Sequence, residues 1–323
     1  MRQHDFEALH APHWHQLEST LQLLNGKTPV GAAQLATFPR AYRQVCQHLA
    51  LARERQYAPH LIDRLDAIVQ GGYQHLYRAR GLSRYRVLDF LMTGFPALVR
   101  AEWRLVALSS ALLYLPMIVM GLAVYFAPHM VYTVLDPATV GGVEGMYNPK
   151  AAHIGRERGS DSDFMMFGHY IMNNIGISFQ TFAGGLLGGL GSVFYLVFNG
   201  VYMGAVAGHL TQVAYTSTFY SFVVGHGAFE LTAITLSGAA GLRLGMALIA
   251  PGRKSRLHAL RDAADASIRI MYGVIAMLLI AAFVEAFWSS TQAVSPELKY
   301  GVGAALWLLV GTYLVLMGRG RAA

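Results

Sequence analysis

The sequence predicts an all-α membrane protein of about six spans, preceded by a helical domain outside the bilayer. Three observations carry this. Hydrophobic residues make up 54% of the 323-residue chain and charged residues only 13%, where an ordinary soluble domain has about 25% charged. The charges are also uneven, since residues 1–104 hold 13 of the 25 Lys and Arg. Beyond them lie apolar stretches of the length a helix needs to cross ~30 Å of hydrocarbon. This composition excludes a soluble enzyme, a disordered chain and a disulfide scaffold. The single cysteine, Cys46, has no partner for an intramolecular disulfide.

Residues 1–104 read as a basic helical cytoplasmic domain. Met1–Ser19 carries Arg2, Asp5, Glu7, Glu18 and four histidines, which leaves no apolar stretch for a cleavable signal. Tyr42, Val45, Cys46, Leu49 and Leu51 recur at helical spacing, as do Leu61, Leu65, Ile68 and Val69. Gly71-Gly72 and Gly81 are expected breaks. Arginines such as Arg53, Arg64 and Arg78 dot the polar faces and suit a surface facing anionic headgroups. Ser83–Arg104 reads as an amphipathic lead-in, with Trp103 at the junction. The net charge of +7 comes with no nucleic-acid-binding motif, so no nucleic-acid partner is expected.

The transmembrane domain is expected over 105–318, with 319–323 as a tail. Leu105–Ala127 is a charge-free span in which Pro116 is placed to kink the helix. Pro128–Asp163 is a net-acidic excursion. Phe164–Ala250 is almost wholly apolar and divides into Phe164–Phe179, Phe182–Phe198, Val201–Ser217 and Phe219–Ala250. The basic loop Pro251–Asp265 separates these from Ile268–Trp288 and Tyr300–Met317. The basic residues put both termini in the cytoplasm and 128–163 outside. The span count is then even, so three crossings are needed between 163 and 251. At least one of the four pieces must be re-entrant, interfacial or part of a broken helix, which is tolerated only where protein or a cavity satisfies the backbone.

Six ionisable residues lie inside the spans: His169, His209, His226, Glu230, Arg243 and Glu285. Such residues are costly in hydrocarbon and face the bundle interior. His226 and Glu230, four apart, share one helix face. The pair suits a structural hydrogen bond, a polar transport or catalytic site, or two ligands of one divalent ion, with His169 and His209 as the further imidazoles available. Asn173, Asn174 and Asn199 are amides that either glue helices together or join that pair in one polar cavity. Glycine is the other signal. Gly184/Gly188 and Gly185/Gly189 are interleaved GxxxG pairs, and Gly200/Gly204/Gly208 and Ser237/Gly241/Gly245 extend the spacing. These rows predict close helix packing. No nucleophile elbow, phosphate loop or dinucleotide fingerprint is present, and no catalytic residue is assigned.

Asn173-Asn174, the glycine-rich Phe182–Gly191, Asn199-Gly200 with Gly204, and above all His226-Gly-Ala-Phe-Glu230-Leu231 resemble the stage II sporulation protein M family of polytopic membrane proteins. The resemblance is carried by 164–250 and extends over the spans. It implies an inner-membrane scaffold or anchor for cell-envelope partners, in a non-sporulating relative, with no agreed catalytic residues. It also implies an RDD-family membrane protein or a MoxR-type ATPase among its partners in the lipid bilayer, while the glycine rows add the expectation of a homo-oligomer such as a dimer. No cofactor is expected on this reading. Two alternatives stand beside it: a transporter or channel with a midplane site at His226 and Glu230, and an intramembrane metal-dependent enzyme.

Overall fold

The computed structural model describes residues 2–26, 31–77, 84–150, 162–291 and 293–319. Among the described residues every regular element is helical. The chain forms two compact units, Met1–Ser83 and Arg84–Ala323.

The first unit holds α1 (Gln3–Asn25), α2 (Ala32–Glu54) and α3 (Pro59–Tyr77). Phe6, Trp14, Leu17, Val45, Leu49 and Leu65 belong to one shared core. In α1 the apolar residues Phe6, Trp14, Leu17 and Leu21 are spaced to fall on one face. Gly71-Gly72 does not break α3, which runs on to Tyr77. A methyl group at Gly72 would overlap the ring of Tyr42, so this glycine serves close helix packing. The expected break at Gly81 lies outside the described residues, as does Arg78. Arg64 donates to both carboxylate oxygens of Glu18, at 3.0 and 2.9 Å, and Arg53 pairs with Asp66 at 2.6 Å. Two of the surface arginines are thus neutralised within the unit.

A half-buried histidine packs against Phe6 and Trp14 of this core. The indole N–H of Trp14 donates to His48 Nδ1 at 3.0 Å. Indole only donates, so the bond requires a neutral imidazole at that nitrogen. Burial first, then the nearby His10 and His13, push the His48 pKa down to about 4 from 6.5. The unfolded chain therefore binds a proton more readily than the folded unit between those two values. Stability from this group is present above about pH 6.5 and is lost as pH falls toward 4. Protection of α1 and α2 amides in the full-length protein, taken relative to the unfolded chain at the same pH, should fall over that window. His48→Gln should flatten the dependence.

The second unit begins with α4 (Arg84–Asp89), a π-helical turn over Phe90–Gly94, and α5 (Phe95–Ala101). The expected amphipathic lead-in is only partly a surface element, because Phe95 and Val99 are buried in the main core beside Ile270 and Val274. The Phe95 ring occupies the space a side chain at Gly273 would fill. Arg100 donates to the carbonyls of Leu314 and Met317, at 2.9 and 2.8 Å, and so caps the last helix.

Helix α6 (Trp103–Phe126) continues through Pro116. A 3-10 turn over Pro128–Thr133 leads to α7 (Pro137–Tyr147), capped by Asp136, which accepts from the N–H groups of Ala138 and Thr139. The four apolar pieces between 164 and 250 are three helices: α8 (Ser162–Ala183), α9 (Leu190–Gln212) and α10 (Thr216–Ile249). One break falls inside the second piece, at Gly184–Gly189, and the other near the end of the third, between Gln212 and Thr216. A 3-10 turn over Gly184–Leu186 is followed by Gly188 and Gly189 at φ of 65° and 85°. That left-handed backbone favours glycine. The 184/188 and 185/189 spacings therefore belong to a reversal of the chain, not to a helix face. Helix α11 (Arg256–Phe283) runs into a π-helical segment over Val284–Ser289, and α12 (Pro296–Leu316) closes the unit.

Among the described residues, five helices are long and apolar enough to cross a membrane: α6, α9, α10, α11 with its π extension, and α12. Helix α8, with 22 residues, has nearly the length of α9 but carries His169, Asn173 and Asn174. Directions follow from contacts. Gly200, Gly204 and Gly208 of α9 face Leu113, Met117 and Gly121 of α6 in the same order, so the two helices run parallel. Short turns reverse the chain between α8, α9, α10, α11 and α12. Hence α6, α9 and α11 run one way and α8, α10 and α12 the other.

The glycine row of α9 is a backbone contact. A methyl group at Gly200, Gly204 or Gly208 would overlap the carbonyl of Leu113, Met117 or Gly121 respectively. On α10, Gly241 and Gly245 give the same room to the Thr181–Phe182 carbonyls and to Gly189. Gly204→Leu should therefore destabilise the bundle by about 1–3 kcal/mol through overpacking. A Cβ at Gly311 meets nothing within 4 Å among the described residues, so Gly311→Ala should leave melting in detergent unchanged.

Candidate functional site

Helix α10 is buried along most of its length, so its polar residues face other helices. His226 is 5% exposed. Its Nδ1 shares a hydrogen bond of 3.0 Å with Ser289 Oγ, and its Nε2 lies 3.9 Å from Glu230 Oε2. The two residues thus face each other beyond hydrogen-bond distance, while Ser289 of the π segment holds the other ring nitrogen of His226. Glu285 joins them: one ligand atom from each of His226, Glu230 and Glu285 lies within 4.8 Å of the others.

Glu285 and Ser289 both belong to that π-helical segment. A π turn inserts an extra residue per turn and re-aims the side chains after it, and such segments recur at functional sites. Lys299, from α12, secures the segment by donating to the carbonyls of Ser289 and Thr291 at 2.8 and 2.7 Å.

His226, Glu230 and Glu285 border a cavity of about 1000 Å³. Its lining extends from Thr211, Phe219 and Tyr300, near the ends of α9, α10 and α12 that share a side, to Glu230 and Trp307, and includes Ile118 and Leu122 of α6. Glu230 is the fifteenth residue of α10, which places it about 21 Å along the axis at 1.5 Å per residue. His169, Asn173 and Asn174 of α8 form part of the wall. Asn173 Nδ2 donates to Asn174 Oδ1 at 3.0 Å. Asn174 is 2% exposed, and its Nδ2 finds no hydrogen-bond acceptor among the described residues.

The structure therefore brings together five of the six residues expected to form the polar site: His169, Asn173, Asn174, His226 and Glu230. Asn199 is elsewhere, donating to the carbonyl of Tyr195 one turn back on its own helix at 2.7 Å. His209, considered as a further metal ligand, is paired with Glu144 of α7 at 2.7 Å. Arg243 is held by Glu102 toward the opposite end of the bundle. Glu285 is the member that the helical spacing around His226 could not supply. Its signal was a lone carboxylate in the apolar stretch Ile268–Trp288.

A family model described as Stage II sporulation protein M matches residues 110–290, more than half of the chain. The chain belongs to the stage II sporulation protein M family. The matched region runs from α6 to the π segment and contains every cavity residue from Met117 to Glu285. A second model, described as Domain of unknown function (DUF8413), matches residues 4–78, the stretch of α1 to α3. Comparison with the curated proteins and with the solved structures finds no match.

The geometry makes His226 and Ser289 one unit. Removing either leaves a buried polar group unsatisfied, at about 1–3 kcal/mol. A double-mutant cycle over His226→Ala and Ser289→Ala should show coupling above ~0.5 kcal/mol. The same cycle over His209→Ala and Ser289→Ala should be additive. Melting of the purified variants in detergent measures both.

Proposed function

We propose that this membrane protein binds a small polar or charged solute in its cavity, as the binding step of a carrier or channel. The supporting observation is that Asn174, His226, Glu230 and Glu285, all little exposed, line one cavity together with the more exposed His169 and Asn173. One ionisable side chain at the bilayer centre already costs about 2.5–3.5 kcal/mol on insertion scales. Helix packing alone does not call for several in one place, and a solute site does. In this proposal the protein lies in the bacterial inner membrane with both termini cytoplasmic. The distribution of basic residues supports that orientation. The mouth of the cavity then faces outward, on the side of α7.

Thiol labelling tests it in a Cys46→Ser background, with Met146→Cys and Arg253→Cys marking the two sides. Asn173→Cys and Gly227→Cys should react with a small membrane-impermeant reagent from the side that labels Met146→Cys. They should stay inert to reagent confined to the side that labels Arg253→Cys. Position 227 has room for the new side chain, since a Cβ there meets only Leu231 and Trp307 at 4.0 Å. If both cavity variants are inert while Met146→Cys reacts, the reading falls.

A second reading is a scaffold or anchor for envelope proteins. It is supported by the family match and by a separate helical unit with its own core, available to partners. On this reading the chain self-associates, and an RDD-family membrane protein or a MoxR-type ATPase is among its partners. Cross-linking in native membranes followed by affinity purification should then recover such partners. Recovery should be lost when residues 1–83 are removed and should survive Glu230→Gln.

A further inference from the structure

We propose that His226, Glu230 and Glu285 form a binding site for one divalent transition-metal cation of the zinc or manganese class. The inference rests on the reading of the cavity as a solute site and names the solute.

The donor set comes first. One imidazole nitrogen and one oxygen from each of two carboxylates lie within 4.8 Å of one another. An ion held about 2.0–2.2 Å from nitrogen and oxygen ligands in a tetrahedral site needs the widest of these separations to shrink by more than about 1 Å, so the side chains must draw together on binding. Imidazole beside carboxylate suits zinc, manganese or iron(II), whereas magnesium and calcium take oxygen ligands.

Orientation comes next. A metal-ligating histidine donates its other ring N–H to a neighbouring acceptor, which fixes the ring and its tautomer. His226 has that arrangement. Ser289 Oγ lies 3.0 Å from Nδ1, while Nε2 is turned toward Glu230. With Nδ1–H donating to Ser289, the lone pair on Nε2 is left for the ion. One π-helical segment supplies both the ligand Glu285 and the orienting Ser289.

Charge is the third argument. A divalent ion with two carboxylates and a neutral imidazole is neutral overall. Independently of these three residues, Asn174 presents a buried N–H donor in the same cavity wall, with no acceptor among the described residues. That donor suits a water molecule or anion carried on the ion. All three residues line the cavity, which gives an ion a path in and out.

The test uses full-length protein in detergent, stripped with a chelator and titrated with zinc or manganese alone. Calorimetry and elemental analysis should give one ion per chain. Glu285→Gln, which keeps shape, should weaken binding at least about tenfold, and Ser289→Ala by about 10–100-fold. His209→Ala should leave the affinity unchanged. Elution volume and melting confirm that each variant is folded. Absence of binding by both ions overturns the inference, as does binding unaffected by Glu285→Gln and Ser289→Ala. If the cavity cysteines react but no ion binds, this inference fails and the cavity reading stands. If an ion binds while those cysteines are inert, the metal site stands and the carrier reading fails.

Discussion

Close backbone contact holds the second unit together. Lipid tails are as apolar as leucine, so two helices gain little hydrophobic free energy by meeting in a bilayer. What remains is dispersion and polar contact at short range, and both need the backbones to approach. Gly200, Gly204 and Gly208 let α9 lie against α6 turn by turn. Gly241 and Gly245 let α10 accept the chain reversal between α8 and α9. Serine hydroxyls complete the contacts. Ser109 of α6 donates to the carbonyl of Thr235, and Ser267 of α11 to that of Ala240, both on α10. Ser192 of α9 donates to the carbonyl of Thr181 on α8.

That packing makes the unit asymmetric. Toward the Ile249 end of α10, glycine contacts and the Arg243–Glu102 pair close the space between helices. Toward the Thr216 end, Tyr147, Phe219 and Trp307 line the cavity. The same central helix therefore presents small residues where it must be gripped and His226 and Glu230 where it borders open space. The π segment after α11 then sets Glu285 and Ser289 beside them.

The first unit follows a different rule. Its core is formed by burying aromatic and aliphatic side chains from three helices against one another. Trp14 is fully buried, and its indole N–H is satisfied by His48. That bond makes this unit sensitive to mild acid.

Much was legible in the sequence. Long apolar stretches identified helices of membrane-crossing length, because every backbone polar group in hydrocarbon must be satisfied within its own segment. The four-residue spacing of His226 and Glu230 placed them on one face, since helical geometry is local. The spacing of Gly200, Gly204 and Gly208 likewise marked a packing row. The same spacing misled at Gly184–Gly189, where two left-handed glycines reverse the chain. It also gave no warning that Gly72 would make room for Tyr42 inside a continuous helix. Tertiary structure alone decided which polar groups meet. Asn199 turned back onto its own helix and His209 went to Glu144, while Glu285 came from a segment 55 residues beyond Glu230. Local periodicity fixes the face a residue occupies on its own helix. The partner across that face depends on how the helices are arranged around one another, which no single segment encodes.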